Sequence, residues 1–248
     1  MSVVVPVRNE GPNILPLIAE IEAAMAAFPH EIIYVDDGSD DETPAVLAGA
    51  AASSAAIRPL RHTRSCGQSA AVVTGVKAAR GRWIATLDGD GQNDPADIPR
   101  LLARAEAEGA DGMLLVAGHR VQRKDSWIKR ATSRLANRVR AWLLRDATPD
   151  TGCGLKVFPR LLFLDLPHFD HMHRYLPALV LRQGGRVVSE PVNHRPRVRG
   201  ASKYGTLDRL AVALFDLIGV AWLQRRGKRP EVTIVVPGAR EGSAGGGA

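Results

Sequence analysis

SVVVPVRNEGPNILPLIAEIEAAMAAFPHEIIYVDDGS, residues 2–39, decides the fold. Two short β-branched runs, Ser2–Val7 and Glu31–Val35, flank Asn13–Phe28, where Ile14, Leu17, Ile18, Ile21 and Met25 recur at helical spacing. That is a β-α-β unit. The alternation continues outward: Ala45–Ala52 reads as helix, Ile57–Arg61 as strand, Gly67–Arg80 as helix, and Trp83–Leu87 as a strand ending in carboxylates. Leu101–Glu108 and Tyr175–Gln183 read as helices, and Gly112–Val116, Leu155–Phe158 and Arg186–Val188 as strands. The pattern predicts an α/β fold with a mostly parallel central sheet and helices on both faces. Ligands bind such sheets beyond the carboxyl ends of the strands, so Arg8-Asn9-Glu10, Asp36-Asp37-Gly38-Ser39 and Asp88-Gly89-Asp90 are expected along one rim.

Composition narrows the partners. With 248 residues and 45% hydrophobic content the chain can bury a substantial core, which excludes disorder for most of it. Lys+Arg 33 against Asp+Glu 26 gives a net charge of +7, which favours anionic partners. Cys66 and Cys153 stand far apart without metal-ligand spacing, so neither a disulfide framework nor a zinc site is expected. Met1 leads straight into an apolar run, so no secretory leader is expected, and a reducing cytoplasm is the simpler setting. The Gly-rich end from Gly238 is expected to be disordered.

Two acidic constellations carry chemistry. Asp88-Gly89-Asp90-Gly91-Gln92 follows a strand directly, so two carboxylates and an amide oxygen leave one turn together. Mg²⁺ and Mn²⁺ take this oxygen set and complete it with substrate phosphates, although a solvated acidic turn has the same residues. A calcium loop is excluded, because Asn93 replaces the required glycine and Pro99 the bidentate glutamate. Carboxylates of Val35-Asp36-Asp37-Gly38-Ser39 can accept hydrogen bonds from a ribose or a base N–H. Ser39 or Asp40 as a helix N-cap, with Glu42 in the first turn, accounts for the same segment without a ligand.

Order and spacing together go further. Val5-Pro6-Val7-Arg8-Asn9-Glu10, Val35-Asp36-Asp37-Gly38-Ser39, Gly67-Gln68-Ser69-Ala70 and Asp88-Gly89-Asp90-Gly91-Gln92 are followed by Thr151-Gly152-Cys153-Gly154-Leu155-Lys156, His173-Arg174-Tyr175-Leu176-Pro177 and Arg197-Val198-Arg199-Gly200-Ala201-Ser202-Lys203-Tyr204. Across residues 2–225 this series resembles the family 2 nucleotide-sugar glycosyltransferases, in particular the dolichol-phosphate mannosyltransferase-like branch. The resemblance implies a GT-A fold over residues 1–206, inverting transfer from a GDP- or UDP-hexose, mannose or glucose, and a polyprenyl phosphate acceptor. It implies that Pro6, Val7, Asn9, Glu10 and Asp37 hold the nucleoside, that Gly67 and Asp88 contribute to donor binding, and that Asp88, Asp90 and Gln92 hold Mg²⁺ or Mn²⁺. His173, Arg174 and Ser202 are placed at the acceptor, and Asp90, Arg120, Arg123, Arg197 and Lys203 in the transfer itself. The family commonly has an aromatic residue where Arg8 stands and Asn where Arg64 stands.

Residues 119–145 hold nine Lys/Arg and one acid, Asp125, with Trp127, Trp142, Leu143 and Leu144 interleaved. That reads as a membrane-surface segment or as a solvated basic face. Leu207–Leu223 places Leu210, Leu214, Leu217, Ile218 and Ala221 on one side and Asp208, Arg209 and Asp216 on the other. Residues 207–229 are therefore either a packed helix or an interfacial one with a basic flank, ahead of the 230–248 tail. The expected location is the cytoplasmic face of a membrane, peripherally bound, with a membrane-protein partner left open. No nucleic-acid partner is expected, since aromatics are only 5% and no recognition motif occurs. Two other readings are a family 2 transferase acting on a saccharide or cell-wall acceptor, and a basic non-catalytic module.

Overall fold

The computed structural model describes residues 1–120, 140–196 and 206–227, and for residues 206–211 only the backbone. The first half follows the β-α-β pattern: β1 (Ser2–Val7), α1 (Gly11–Met25), β2 (Glu31–Asp36), α2 (Thr43–Ser53), β3 (Ile57–Arg61), α3 (Gln68–Ala78), β4 (Trp83–Thr86) and α4 (Ile98–Glu108). The second half contributes β5 (Leu114–Arg120), β6 (Lys156–Pro159), α5 (Arg160–Leu164), α6 (Leu176–Arg182), β7 (Arg186–Val192) and α7 (Thr206–Arg226).

Seven strands among the described residues form one sheet in the order β3-β2-β1-β4-β6-β5-β7. Every neighbouring pair is parallel except those made by β6, which runs antiparallel to both β4 and β5. Side chains alternate across a strand, so Val3, Val5 and Val7 enter one apolar layer with Ile14, Leu17 and Leu101, while Val4 enters the other with Val72, Val76 and Phe163. Burial on both faces is why β1 reads as a continuous apolar run.

Where the elements differ from the sequence reading, the cause is local. α1 begins at Gly11 rather than Asn13, because Pro12 fits a first helical turn that needs no N–H donor. β5 and β7 pair in register over 114–120 and 186–192, so the ladder continues past the end of the apolar signal. The expected N-cap at Ser39 or Asp40 is not formed, and α2 starts at Thr43, whose N–H donates to Asp41 Oδ1 at 2.9 Å.

α7 splits its apolar residues. Leu217, Val220 and Ala221 pack inward, whereas Leu214, Phe215, Ile218 and Trp222 are exposed. Asp216, expected on the outer side, instead meets His171 Nδ1 at 3.0 Å, and Gln224 Nε2 donates to the carbonyls of Leu144 and Ala178 at 2.9 and 3.1 Å. Among the described residues no helix is long and apolar enough to cross a membrane.

Candidate active site

Parallel strands deliver their carboxyl ends to one edge, and antiparallel β6 delivers its amino end there. The β1, β2 and β4 loops therefore meet the Thr151–Leu155 approach to β6 on a common rim.

At the β2 end, Asp37 is buried and collects four donors from the segment ahead of α3. His62 Nδ1 and Ser65 Oγ lie 2.7 Å from its carboxylate, and the N–H groups of Cys66 and Gly67 donate at 2.8 and 2.9 Å. Burial alone would push this carboxyl up; the bonds from Cys66, His62, Ser65 and Gly67 outweigh it and hold Asp37 below the usual aspartate range. Gly38 makes the turn possible: its φ is +68°, and a Cβ there would stand 2.7 Å from the Arg64–Ser65 backbone. Asp37, His62 and Cys66 offer ligand atoms within 4.8 Å of one another. Both His62 ring nitrogens are already engaged, by Asp37 and by Thr74 Oγ1 at 2.9 Å, so this trio braces the loop rather than presenting an open cation site.

The β1 loop is tied to the same turn. Asn9, in the left-handed region at φ 55°, donates its backbone N–H to Ser39 Oγ at 2.9 Å, and its side-chain amide exchanges bonds with Asp40 at 2.5 and 3.0 Å. Glu10 N–H donates to Thr43 Oγ1 at 3.0 Å. Val7 places its side chain in the core and its carbonyl on the Asp37 N–H at 2.9 Å. Of the expected nucleoside residues, Pro6 faces the cleft described next, while Val7, Asn9, Glu10, Asp37 and Gly67 build its adjoining framework.

That cleft, about 370 Å³, is lined by Pro6, Gln68, Asp88, Gln92, Lys156 and His173, among others. Gln68 Nε2 donates to Asp88 Oδ1 at 2.7 Å. Burial pushes the Asp88 carboxyl up and the charge of Asp90 pushes it further, against the opposing pull of Lys156, Gln68 and Arg120. Two carboxylates that penalise each other in this way fit a hard divalent cation, which relieves both. Asp90 Oδ1 accepts the Gln92 N–H at 3.1 Å and lines an adjacent depression with Glu20 and Arg195. Gln92 is anchored by its side-chain amide, which donates to the Arg195 carbonyl at 3.3 Å, while the Arg195 N–H returns a bond to the Gln92 carbonyl at 2.9 Å. Arg195 in turn forks onto Glu20 at 3.1 and 2.6 Å.

The same cleft carries basic residues. Lys156 is buried, its ammonium on the Cys153 carbonyl; burial lowers its pKa, partly opposed by Asp88 and Asp150. His173 Nδ1 sits 2.7 Å from Ser69 Oγ, on α3. Burial first, then the charges of Arg174, Lys156 and His171, hold its imidazole down to about 3, so it is neutral near pH 7. Arg174 is exposed at the cleft wall. Arg120 forms a two-pronged pair with Asp150, at 2.7 and 2.8 Å, next to Gly152 of the cleft lining. Arg123, Arg197, Ser202 and Lys203 lie outside the described residues. Lys156 and Gln68 belong to matched motifs, but no spacing in the sequence shows that both meet Asp88.

A mostly parallel seven-stranded sheet with an acidic D-x-D turn at its carboxyl edge defines the class as GT-A. Residues 2–165 match glycosyl transferase family 2, and the chain belongs to that family. It is 36% identical over 239 residues to a dodecaprenyl-phosphate galacturonate synthase of Rhizobium johnstonii, covering 93% of this chain and 69% of that protein. It is 35% identical over 221 residues to an undecaprenyl-phosphate 4-deoxy-4-formamido-L-arabinose transferase of Enterobacter sp. (strain 638), covering 88% of this chain and 66% of that one. Among solved structures, glucosyl-3-phosphoglycerate synthase from Mycobacterium tuberculosis, with Mn²⁺, UDP-glucose and phosphoglyceric acid, matches with a TM-score of 0.63. The match covers 90% of this chain and 78% of that one at 19% identity, a likeness of fold.

Proposed function

We propose that this chain transfers a glycosyl group from a nucleotide-diphospho-sugar to a polyprenyl phosphate at the cytoplasmic face of a membrane, with Mg²⁺ or Mn²⁺ held by Asp88, Asp90 and Gln92. The observation that carries the reading is the make-up of the cleft, which brings Asp88 and Gln92 together with Lys156, His173 and Arg174. The two curated relatives support a polyprenyl phosphate acceptor, since both are named for one.

A bound divalent ion supplies neutralisation of the charge that builds on the departing diphosphate. The remaining work falls to side chains. An acceptor phosphate is already anionic at neutral pH, so no general base is needed, and a neutral His173 suits a donor rather than a base. With the Ser69 hydroxyl donating to Nδ1, the imidazole proton sits on Nε2 and can meet a phosphate oxygen. Arg174 adds a charge-assisted donor, and Lys156 offsets the repulsion between donor and acceptor phosphates.

The test is incubation of the purified protein with polyprenyl phosphate, Mg²⁺ or Mn²⁺ and labelled nucleotide sugars. The panel spans GDP- and UDP-linked mannose and glucose, the donors the sequence resemblance implies, together with nucleotide-linked galacturonate and formamido-arabinose. One donor is expected to yield a lipid-linked product that chelation abolishes. Product on a soluble saccharide but not on polyprenyl phosphate would overturn the acceptor.

Gly154→Ala probes the metal position. A Cβ there would come within 2.7 Å of Asp88 Oδ1. The carboxylate must shift off its Gln68 bond, so Mn²⁺ affinity, measured calorimetrically in the presence of nucleotide, is expected to fall about tenfold. Unchanged affinity would separate Asp88 from the metal.

A further inference from the structure

We propose that residues 142–145, the C-terminal end of α6 and the last turns of α7 form a docking surface for an anionic phospholipid bilayer, with a lipid phosphate seated among Arg145, Arg182 and Arg225. The inference deepens the transferase reading by naming the face that meets the membrane, and rests on it only for the identity of the acceptor.

A groove of about 610 Å³ opens between these elements, lined by the three arginines together with Trp142, Leu143 and Leu181, among others, and none of its lining residues is acidic. It shares no residue with the cleft that contains Asp88. Gln224 holds its floor together, bonding to the carbonyls of Leu144 and Ala178. Beside it runs an apolar stripe. At helical pitch, Leu214, Phe215, Ile218 and Trp222 fall within about 100° of the α7 circumference. They are 57%, 77%, 56% and 59% exposed, and Trp142 is 82% exposed. The Arg226 guanidinium lies 6.0 Å from the Trp222 ring centre.

Charge decides the occupant. Two copies meeting through this face would bring like-charged arginine clusters together, which opposes self-association. A nucleic acid would satisfy the arginines but leave the Leu, Phe and Ile stripe against a phosphodiester backbone. A bilayer satisfies both, with aromatic and aliphatic groups entering the headgroup boundary and guanidinium groups meeting lipid phosphate. The position suits the chemistry: Leu176 lines the cleft and Arg182 the groove, at opposite ends of the seven-residue α6, about 9 Å apart along its axis. An acceptor phosphate at the bilayer surface is thereby within reach of the cleft.

Co-sedimentation of the full chain with phosphatidylcholine vesicles, with and without phosphatidylglycerol, tests this. The wild type is expected to bind the anionic vesicles in a salt-sensitive manner and the neutral ones weakly. Phe215→Glu combined with Trp222→Glu, and separately Arg225→Gln combined with Arg226→Gln, are each expected to lower binding at least about tenfold. All four positions are exposed, and transfer to a detergent-dispersed acceptor is expected to continue in both variants. Equal binding to neutral and anionic vesicles, or unaltered binding by both variants, would overturn the proposal. A wild-type dimer in solution that Phe215→Glu dissociates would also overturn it, assigning the face to a second copy. Selective vesicle binding without transfer on any donor would leave this surface standing and remove the transferase reading. Transfer in detergent by a protein that ignores vesicles would do the reverse.

Discussion

Asp90→Ala is expected to reduce sugar transfer at least about a hundredfold, in line with the several kcal/mol that a correctly held metal contributes to such a transition state. The fold should barely notice. Asp90 is only partly buried, and the bond it accepts from the Gln92 N–H at 3.1 Å is worth about 1 kcal/mol. Against that loss stands relief of the repulsion that pushes the Asp88 carboxyl up. Burial still holds the Asp88 carboxyl up in the variant, but removing the like charge takes away the second cause of its rise. The expected result is a melting temperature within a few degrees of wild type, no heat on Mn²⁺ titration with nucleotide present, and no lipid-linked product. Vesicle binding, carried by residues on α7, should be unaffected. A variant that transfers at the wild-type rate would remove the metal from this turn and, with it, the account of how the donor is activated.

The sheet was legible because its signals are local. β1 and β2 announce themselves by short β-branched runs, and the period of the intervening helix is clear in residues such as Ile14, Leu17 and Ile21. From a parallel sheet, the position of Asp37, Asp88 and Asp90 at one edge follows without coordinates. The direction of β6 does not: four apolar residues read alike in either orientation, and only pairing with β4 and β5 brings Gly154 and Lys156 to the acidic turn. The Ser69–His173 contact spans 104 residues, a separation at which spacing carries no information. The pairing of Arg120 with Asp150 was hidden for the same reason. In α7 the helical wheel groups Leu214 and Ile218 with Leu217 and Ala221, because their arcs adjoin; which of them is covered depends on where α6 lies.

Asp37→Asn is expected to cost stability on the order of 3 kcal/mol, a drop in melting temperature of roughly 10 °C, although it removes only a charge and keeps the shape. The carboxylate accepts from Ser65, Cys66, Gly67 and His62, so turning one oxygen into an NH₂ sets donor against donor inside a nearly sealed turn. Acid provides a second reading of the same group. Since the folded-state pKa is held below the ordinary 3.8, Asp37 contributes its full stabilisation above that value and loses it as pH falls through the lower one. The gap in melting temperature between wild type and variant should therefore stay constant from about pH 5 to 8 and narrow below about pH 4. Transfer should fall as well, because the segment fastened by Asp37 leads directly into Gln68, which orients Asp88. An unshifted melting curve for the variant would mean that the 62–67 segment holds its shape without the carboxylate. A gap that widened in acid would contradict the sign of the interaction itself.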